Sequence, residues 1–294
     1  MNTQYDVTVV IAEESARENL AEIIKLLDPP MHPQVEFIIC SAVTGQPEYA
    51  GLNGQNVRYL VGRGRIPLLW RDGILAAKAD TVALTTAHCL PEPDWLDRLL
   101  QVRLAGELVA VGGAIGEGSG DGVLSRAIYL LRYFPFRPSR PAGEVSEIAA
   151  DNALYRRSAI LEHPDLLELG FWEPSFHKRF RGQGLVLRFD PKLLVSHYNH
   201  YSISQFWGQR VDHGGAFGRD RAAAMSRRRL LLMVVCSPAI PLVFFAKILV
   251  GLYRDEGFRP AVLTSLPLLF LFVCGWSWGE STAYWQRFFR PVSQ

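Results

Sequence analysis

The chain has 294 residues, 49% of them hydrophobic and 20% charged, with a formal net charge of +2. This near-neutral charge argues against nucleic acid as a partner, because proteins that bind phosphate backbones are usually strongly basic. Four widely separated cysteines lack the spacing of a zinc site and predict buried free thiols in a reducing compartment. The polar N-terminus predicts no signal peptide, so we expect the first two thirds of the chain to be cytoplasmic.

The first part of the chain alternates short apolar runs with amphipathic segments. Runs rich in β-branched residues predict strands at residues 6–12, 35–40, 56–61 and 81–85. Helices are expected at residues 15–27, where the apolar residues share one helical face, and at residues 66–78. Strands that alternate with helices in this way predict an α/β fold with a mainly parallel sheet.

Two later stretches are rich in residues that favour irregular structure. Residues 112–122 read GGAIGEGSGDG and predict a mobile loop, and the Pro- and Arg-rich residues 134–141 predict a second irregular segment. Each is either a simple connector or part of a lid over a substrate, since long loops often carry binding groups.

The last quarter of the chain changes character. Residues 230–253 and 261–279 are almost entirely apolar, and each run approaches the roughly 20 residues needed to cross a bilayer. They predict a membrane-inserted helical hairpin in residues 221–294, which follows a domain in residues 1–220. The prolines at 238 and 241 leave a re-entrant hairpin open, and the remaining alternative is a buried helix pair.

Arginines at the outer ends of the two apolar runs predict the topology of the hairpin. Arg227, Arg228 and Arg229 precede the first run, and Arg287 and Arg290 follow the second. The positive-inside rule then places both the preceding domain and the C-terminus on the cytoplasmic side of the inner (plasma) membrane.

Residues 83–96, ALTTAHCLPEPDWL, carry the most specific motif in the chain. They resemble the family 2 glycosyltransferases of the GT-A fold, in which a strand ends in an acidic pair and a Pro and Asp-Trp-Leu open the next helix. A branch of that family in which His-Cys follows the acidic pair is a closer match, through His88 and Cys89. In this chain, however, Thr86 and Ala87 stand in the place of the acidic pair.

The resemblance implies a metal site that this chain has altered. In the family, the acidic pair holds a Mg²⁺ or Mn²⁺ that neutralises charge on the leaving diphosphate. Thr86 and Ala87 cannot replace those carboxylates, so we expect weak or absent dependence on divalent ions. His88 is a candidate for one metal ligand or for a hydrogen bond to phosphate, and the alternative is a structural role.

The resemblance also implies residues that contact the donor. The run from Asp151 to Arg157 resembles the family's segment around the sugar, which makes Asp151 and Asn152 candidates for substrate binding. The alternative is a cap at the start of a helix. Arg71 lies in a segment that resembles the helix before the metal-binding strand and is a further candidate.

Glu173 is the candidate catalytic base. Its position before an amphipathic helix resembles that of the family's Asp, which removes the proton from the acceptor hydroxyl. Alternatively, Glu173 only stabilises the helix N-terminus. His177 follows one helical turn later, and either orients Glu173 or acts on its own.

The remaining candidates lie further along the chain. His197 ends a segment that resembles the family's closing strand, where it faces the diphosphate or serves the structure only. Gln209 and Arg210 fall in an amphipathic stretch and meet donor phosphate, lipid headgroups or solvent. The family's Asp that reads the nucleotide base is missing, because the second strand ends in Ser41.

Together these features predict an inverting glycosyltransferase that is associated with a membrane. It would move a sugar from a nucleotide-sugar donor to a lipid-linked, glycan or other membrane-proximal acceptor. The alternative is a degenerate transferase-like protein that serves as a structural or regulatory subunit of a membrane complex, which the loss of the acidic pair favours.

Overall fold

A computed structural model describes residues 5–15, 19–43, 56–118, 122–198, 201–223, 225–255 and 260–289. The chain forms two compact units. The first unit comprises Met1–Ser119 and Tyr133–His200, and the second comprises Gly120–Arg132 and Tyr201–Gln294. The division into domains at residue 220 stays a prediction.

The first unit is built on a mixed sheet. In the described part of the chain its strands are β1 (Val7–Glu13), β2 (Val35–Ser41), β3 (Val57–Val61), β4 (Thr81–Thr86), β5 (Cys89–Pro91), β6 (Leu108–Glu117), β7 (Gly143–Val145), β8 (Asn152–Arg156) and β9 (Val186–His197). Their order is β3-β2-β1-β4-β8-β6-β9-β5, and β7 pairs with β9 outside this order. Strands β1 to β4, β6 and β9 share one direction, whereas β5, β7 and β8 run against it. The predicted α/β fold class is confirmed.

Six helices accompany this sheet within the described residues. They are α1 (Leu20–Leu27), α2 (Ile66–Ala76), α3 (Trp95–Gln101), α5 (Arg157–Leu161), α6 (Pro164–Leu167) and α7 (Glu173–Gly182). Helix α2 lies directly against β1, and the absence of a side chain at Gly73 permits this contact. A Cβ at Gly73 would stand 2.2 Å from Val10 Cγ1. The indole of Trp70 on the same helix donates to the Thr85 carbonyl at 2.9 Å. These contacts hold the end of β4 in place.

The prediction of a loop over residues 112–122 was wrong for its first half, because residues 112–117 belong to β6. The glycines there make room for neighbours in the packed sheet. A Cβ at Gly112 would stand 2.4 Å from Ile148 Cβ, and one at Gly113 would stand 2.2 Å from the Leu193 carbonyl oxygen. Residues 119–121 lie outside the described part. The second stretch contains a 3-10 turn at Phe134–Phe136 and is otherwise irregular, as predicted.

The second unit is helical in its described residues. Its helices are α4 (Val123–Arg132), α8 (Ile203–Ala223), α9 (Arg227–Cys236), α10 (Ile240–Asp255) and α11 (Pro260–Phe289), and a 3-10 turn at Ser237–Ala239 joins α9 to α10. Arg227–Arg254 and Pro260–Phe289 are long and apolar enough to cross a membrane, by length and composition. The linking residues 256–259 and the arginine at 290 lie outside the described part.

Helices α8 and α11 meet through glycines. A Cβ at Gly214 would stand 1.9 Å from the Trp276 carbonyl oxygen, and one at Gly279 would stand 1.9 Å from the Val211 carbonyl oxygen. Only hydrogen side chains permit this approach, which resembles the small-residue packing common between membrane helices. Near this contact Arg221 pairs with Glu280 at 2.8 Å.

Candidate functional site

Polar side chains collect at one edge of the sheet in the first unit. Strands β1, β2, β4 and β9 end at this edge, and the antiparallel β8 begins there. The edge therefore brings together Glu13, Ser41, Thr86, Asp151 and His197 from distant parts of the sequence. Ligands of open α/β sheets bind outside the carboxyl ends of the strands, so this edge is the candidate site.

Asp151 is the centre of a buried cluster. Its Oδ1 accepts hydrogen bonds from Tyr133 Oη at 2.9 Å and from Thr86 Oγ1 at 3.4 Å. His88 Nε2 lies 3.1 Å from the same oxygen and 3.2 Å from Tyr133 Oη. These four side chains are at most 4% exposed. We refer to six residues as the edge cluster: Thr86, His88, Cys89, Tyr133, Asp151 and His197.

His197 and Cys89 complete the edge cluster. The His197 ring packs edge-on to His88, with centroids 5.4 Å apart, and lies 4.6 Å from the Tyr133 ring. Cys89 stands opposite His197 in the pairing of β5 with β9. The possible metal-binding atoms of His88, Cys89 and Asp151 all lie within 4.8 Å of one another. The fold thus brings the predicted residues His88, Asp151 and His197 together.

Asn152 lies next to Asp151, but its side chain points into the interior. Its amide nitrogen donates to the carbonyls of Ala114 at 2.8 Å and Leu193 at 2.9 Å. Its carbonyl oxygen accepts from the Trp95 indole at 2.8 Å. These hydrogen bonds hold the start of β8 against β6, β9 and α3. They therefore fix the position of the neighbouring residue Asp151.

Glu173 begins α7 and is half-buried. Its Oε1 accepts a hydrogen bond from the backbone N–H of Ala150, the residue before Asp151, at 3.4 Å. Burial raises the pKa of Tyr155 well above its usual range, and the negative charges of Glu173 and Asp151 raise it further. The Glu173 carboxylate therefore lies beside the turn that carries Asp151.

His177 lies one turn along the same helix, in the interior of the first unit. It is 1% exposed, and its Nε2 is 3.0 Å from Tyr155 Oη. Burial, with a smaller effect of Arg181, lowers the pKa of His177 to about 3. The imidazole is thus neutral near pH 7 and meets Tyr155 by a hydrogen bond.

The other predicted residues lie apart from the edge cluster. Arg71 is half-buried and donates to Asp72 at 2.8 Å and to the Glu168 carbonyl at 3.2 Å. Gln209 and Arg210 belong to the second unit, where both are buried and Arg210 donates to Gln209 at 3.1 Å. The Arg210 guanidinium also lies 4.8 Å from the centre of the Phe206 ring, so the solvated alternative does not hold for Arg210.

Ser41 has an acidic neighbour at the sheet edge. Glu13 ends β1 directly opposite Ser41, and its Oε2 accepts a hydrogen bond from the Ser41 hydroxyl at 2.5 Å. Glu13 is 1% exposed, and burial raises the pKa of its carboxyl group. The carboxylate that the sequence lacks at the end of β2 is thus present at the end of β1.

Sequence reasoning missed Glu13 and Tyr133. A charged residue at the end of a fully buried strand was an available signal for Glu13. For Tyr133 we find no signal, since it follows α4 and reaches Asp151 only through the tertiary fold.

The edge cluster does not fit the Mg²⁺ or Mn²⁺ that the family resemblance implies. Mg²⁺ prefers six oxygen ligands in octahedral geometry. Ala87 offers no side-chain ligand, and the Thr86 hydroxyl is engaged by Asp151. The donors whose ligand atoms lie within 4.8 Å of one another are the His88 imidazole, the Cys89 thiol and the Asp151 carboxylate, a set that suits softer ions.

Comparisons with known proteins give one family match and one similar solved structure. Residues 48–163 match the family model described as Glycosyl transferase family 2. The predicted resemblance to family 2 glycosyltransferases is confirmed over these residues. Among solved structures it is similar to the mannosyltransferase PcManGT from Pyrobaculum calidifontis in complex with GDP-Man and Mn²⁺. The identity is 13% and the TM-score 0.47, with 99% of this chain and 77% of that chain covered. No curated protein matches the chain.

Proposed function

We propose that the chain is an inverting glycosyltransferase that works at a membrane. It would take a sugar from a nucleoside-diphosphate sugar and pass it to a lipid-linked or membrane-proximal acceptor. The observation that carries the proposal is the position of Glu173, whose carboxylate lies beside the Asp151 turn at the carboxyl edge of the sheet. A base at that place is close to the edge where open α/β sheets bind their ligands.

Glu173 would act as the general base. Its carboxylate would accept the proton of the acceptor hydroxyl while that oxygen forms a bond to the anomeric carbon. The bond from the anomeric carbon to the phosphate oxygen would break on the opposite face. The electron pair would leave with the nucleoside diphosphate, and the sugar's configuration would be inverted.

The neighbours of Glu173 support a positioning role for His177. The neutral imidazole meets Tyr155 Oη at 3.0 Å, and Tyr155 lies within the electrostatic influence of both Glu173 and Asp151. His177 would thus act through Tyr155, by holding β8 against α7. We do not assign direct proton transfer to His177, because its lowered pKa makes the imidazole a poor proton acceptor at neutral pH.

The donor would lie along the sheet edge. Glu13 and Ser41 would contact the nucleobase of the donor, since a carboxylate can accept hydrogen bonds from ring N–H groups. His88 and His197 would lie nearer the donor's phosphates. Asp151 would hold His88 and the turn beside Glu173. Asn152 would contribute by fixing that turn from the interior, and Arg71, Gln209 and Arg210 are not needed for this arrangement.

Membrane association is supported by the second unit. Large apolar side chains on α9, α10 and α11 are exposed, among them Val235 at 68%, Leu242 at 61% and Trp278 at 64%. Arginines 227 to 229 begin α9, where they can meet anionic headgroups. We propose a hairpin with the first unit and both chain ends on the cytoplasmic side.

The test compares Glu173→Gln with wild type in detergent solution. Donor turnover is measured as release of nucleoside diphosphate from a panel of UDP, GDP and dTDP sugars, with membrane lipid extract as acceptor. Gln keeps the side chain's shape but removes its basicity, so the rate should fall by a factor of about a hundred to ten thousand. Donor affinity, measured by calorimetry, should stay close to that of wild type.

The matched control is Glu168→Gln, which makes the same change at an exposed residue of the first unit. It should leave turnover unchanged. Equal turnover of Glu173→Gln and wild type would overturn the assignment of Glu173 as the base.

A second candidate function is a degenerate subunit of a membrane complex. The observation that favours it is the replacement of the acidic pair by Thr86 and Ala87, both fully buried. Under this proposal no donor in the panel binds or turns over, and Glu173→Gln keeps the cellular role of the protein. If wild type binds a donor and turns it over in the assay, the proposal of a degenerate subunit is excluded.

A further inference from the structure

We propose that His88, Cys89 and Asp151 form a binding site for zinc or a similar thiophilic ion. The site takes the place of the family's Mg²⁺ or Mn²⁺ site and differs from it in ligands and in preferred ion. The inference rests on the geometry of the edge cluster and does not depend on the proposed transfer reaction.

The separations within the cluster suit ligands that share one ion. Atoms bound at about 2 Å to a tetrahedral ion lie about 3 to 4 Å from each other. His88 Nε2 and Asp151 Oδ1 are 3.1 Å apart, and the ligand atoms of all three residues lie within 4.8 Å of one another.

The donor set selects the class of ion. Cysteine thiolates and imidazoles favour zinc and other ions late in the first transition row, whereas Mg²⁺ favours oxygen donors and retains water. On binding, the Cys89 thiol would lose its proton to solvent and coordinate as a thiolate. Three protein ligands leave one tetrahedral position for an oxygen ligand, as in zinc sites that remain open to substrate or water.

The surroundings of the cluster support a preformed site. All three residues are at most 4% exposed, which keeps their side chains in place before an ion arrives. Tyr133 Oη donates to Asp151 Oδ1 at 2.9 Å, so it can orient that carboxylate. Hydrogen-bonded neighbours of this kind typically change metal affinity by about ten- to a hundred-fold.

The experiment titrates the full-length, metal-free protein in detergent with Co²⁺, which occupies zinc sites and reports thiolate ligands by an absorption band. We expect one Co²⁺ per chain, a thiolate-to-cobalt charge-transfer band, and displacement by one equivalent of Zn²⁺. A large excess of Mg²⁺ should not displace the ion. Cys89→Ser should lose the band and bind Co²⁺ more than about tenfold more weakly.

Cys236→Ser is the matched control, because Cys236 is an exposed free thiol outside the cluster. It should keep the band and the affinity of wild type. Should Cys89→Ser not fold, X-ray absorption of the zinc-loaded wild type decides, with one sulfur expected at about 2.3 Å. Wild type that binds no Co²⁺ or Zn²⁺, or binds them without a sulfur ligand, overturns the proposal. That result would leave the proposed transfer untouched, because the Glu173 experiment includes no thiophilic ion.

Discussion

The two units of the molecule differ in how their elements pack and in which side chains they expose. In the first unit, apolar side chains from the sheet and from α2 and α7 form the interior, with Trp70, Phe176 and Phe180 at most 2% exposed. In the second unit, glycines let α8 and α11 approach each other closely. The buried Glu280 carboxylate forms an ion pair with the Arg221 guanidinium. Large apolar side chains such as Trp278 and Val235 face outward instead.

This difference bears on the proposal that the second unit faces lipid. Water drives apolar side chains into the core of a soluble domain. Between helices in lipid that driving force is missing, and close packing of small residues with polar contacts takes its place. The pattern of the second unit therefore agrees with the membrane proposal better than apolar composition alone does.

The largest effect is expected where a polar residue holds the first unit together. Asn152→Asp removes both donors to the Ala114 and Leu193 carbonyls and leaves a buried carboxylate beside those oxygens. An uncompensated buried charge costs about 3 to 5 kcal/mol, so the free energy of unfolding should fall by that amount. Urea denaturation in detergent measures it.

The control for that variant is Gln101→Glu, an amide-to-acid change at an exposed residue of α3. It should change the free energy of unfolding by less than about 0.5 kcal/mol. Equal stability of the two variants would mean that the Asn152 amide does not hold β8 to its neighbours.

A smaller effect is expected for glycine substitutions in the second unit. Gly214→Ala places a Cβ where the Trp276 carbonyl oxygen stands, whereas a Cβ at Gly208 on the same helix meets nothing within 4 Å. Ala favours a helix over Gly by about 1 kcal/mol, so Gly208→Ala should be neutral or stabilising. Gly214→Ala should instead destabilise by about 1 to 3 kcal/mol.

The midpoint of thermal unfolding in detergent distinguishes these two variants. Opposite shifts are expected for substitutions that are chemically identical and six residues apart. Stabilisation by both would contradict the glycine contact between α8 and α11, and with it the contrast between the units.

The last effect concerns pH and the first unit. The folded state keeps His177 neutral down to about pH 3, whereas the unfolded chain binds a proton below the ordinary pKa of about 6.5. Because the unfolded state then holds more protons, the free energy of unfolding falls as the pH drops from about 6.5 towards 3. The slope from this one group is at most about 1.4 kcal/mol per pH unit.

His177→Gln tests that slope while it retains a hydrogen-bonding group for Tyr155. Denaturation curves at pH 7 and pH 5 should show a smaller acid-induced loss in the variant than in wild type. Parallel loss in both proteins would show that His177 is not the group responsible.

Local patterns in the sequence were sufficient for part of the secondary structure. The four β-branched runs became β1 to β4, and the two long apolar runs fall in α9, α10 and α11, because periodicity and apolar length depend only on neighbouring residues. The placement of Glu173 at the start of α7 was available in the same way. The alternation of strands with helices predicted the α/β fold class.

The tertiary structure alone decided which of these residues meet. Thr86, Tyr133, Asp151 and His197 come together because β4 and β9 end where the antiparallel β8 begins, and that register has no local signature. The glycines at 112 and 113 predicted a loop, but they lie in β6, where Ile148 and the Leu193 carbonyl leave no room for a Cβ. Asp151 and Asn152 are neighbours in sequence, yet Asp151 lies in the turn before β8 and joins the edge cluster, whereas Asn152 begins β8 and donates to carbonyls of the interior.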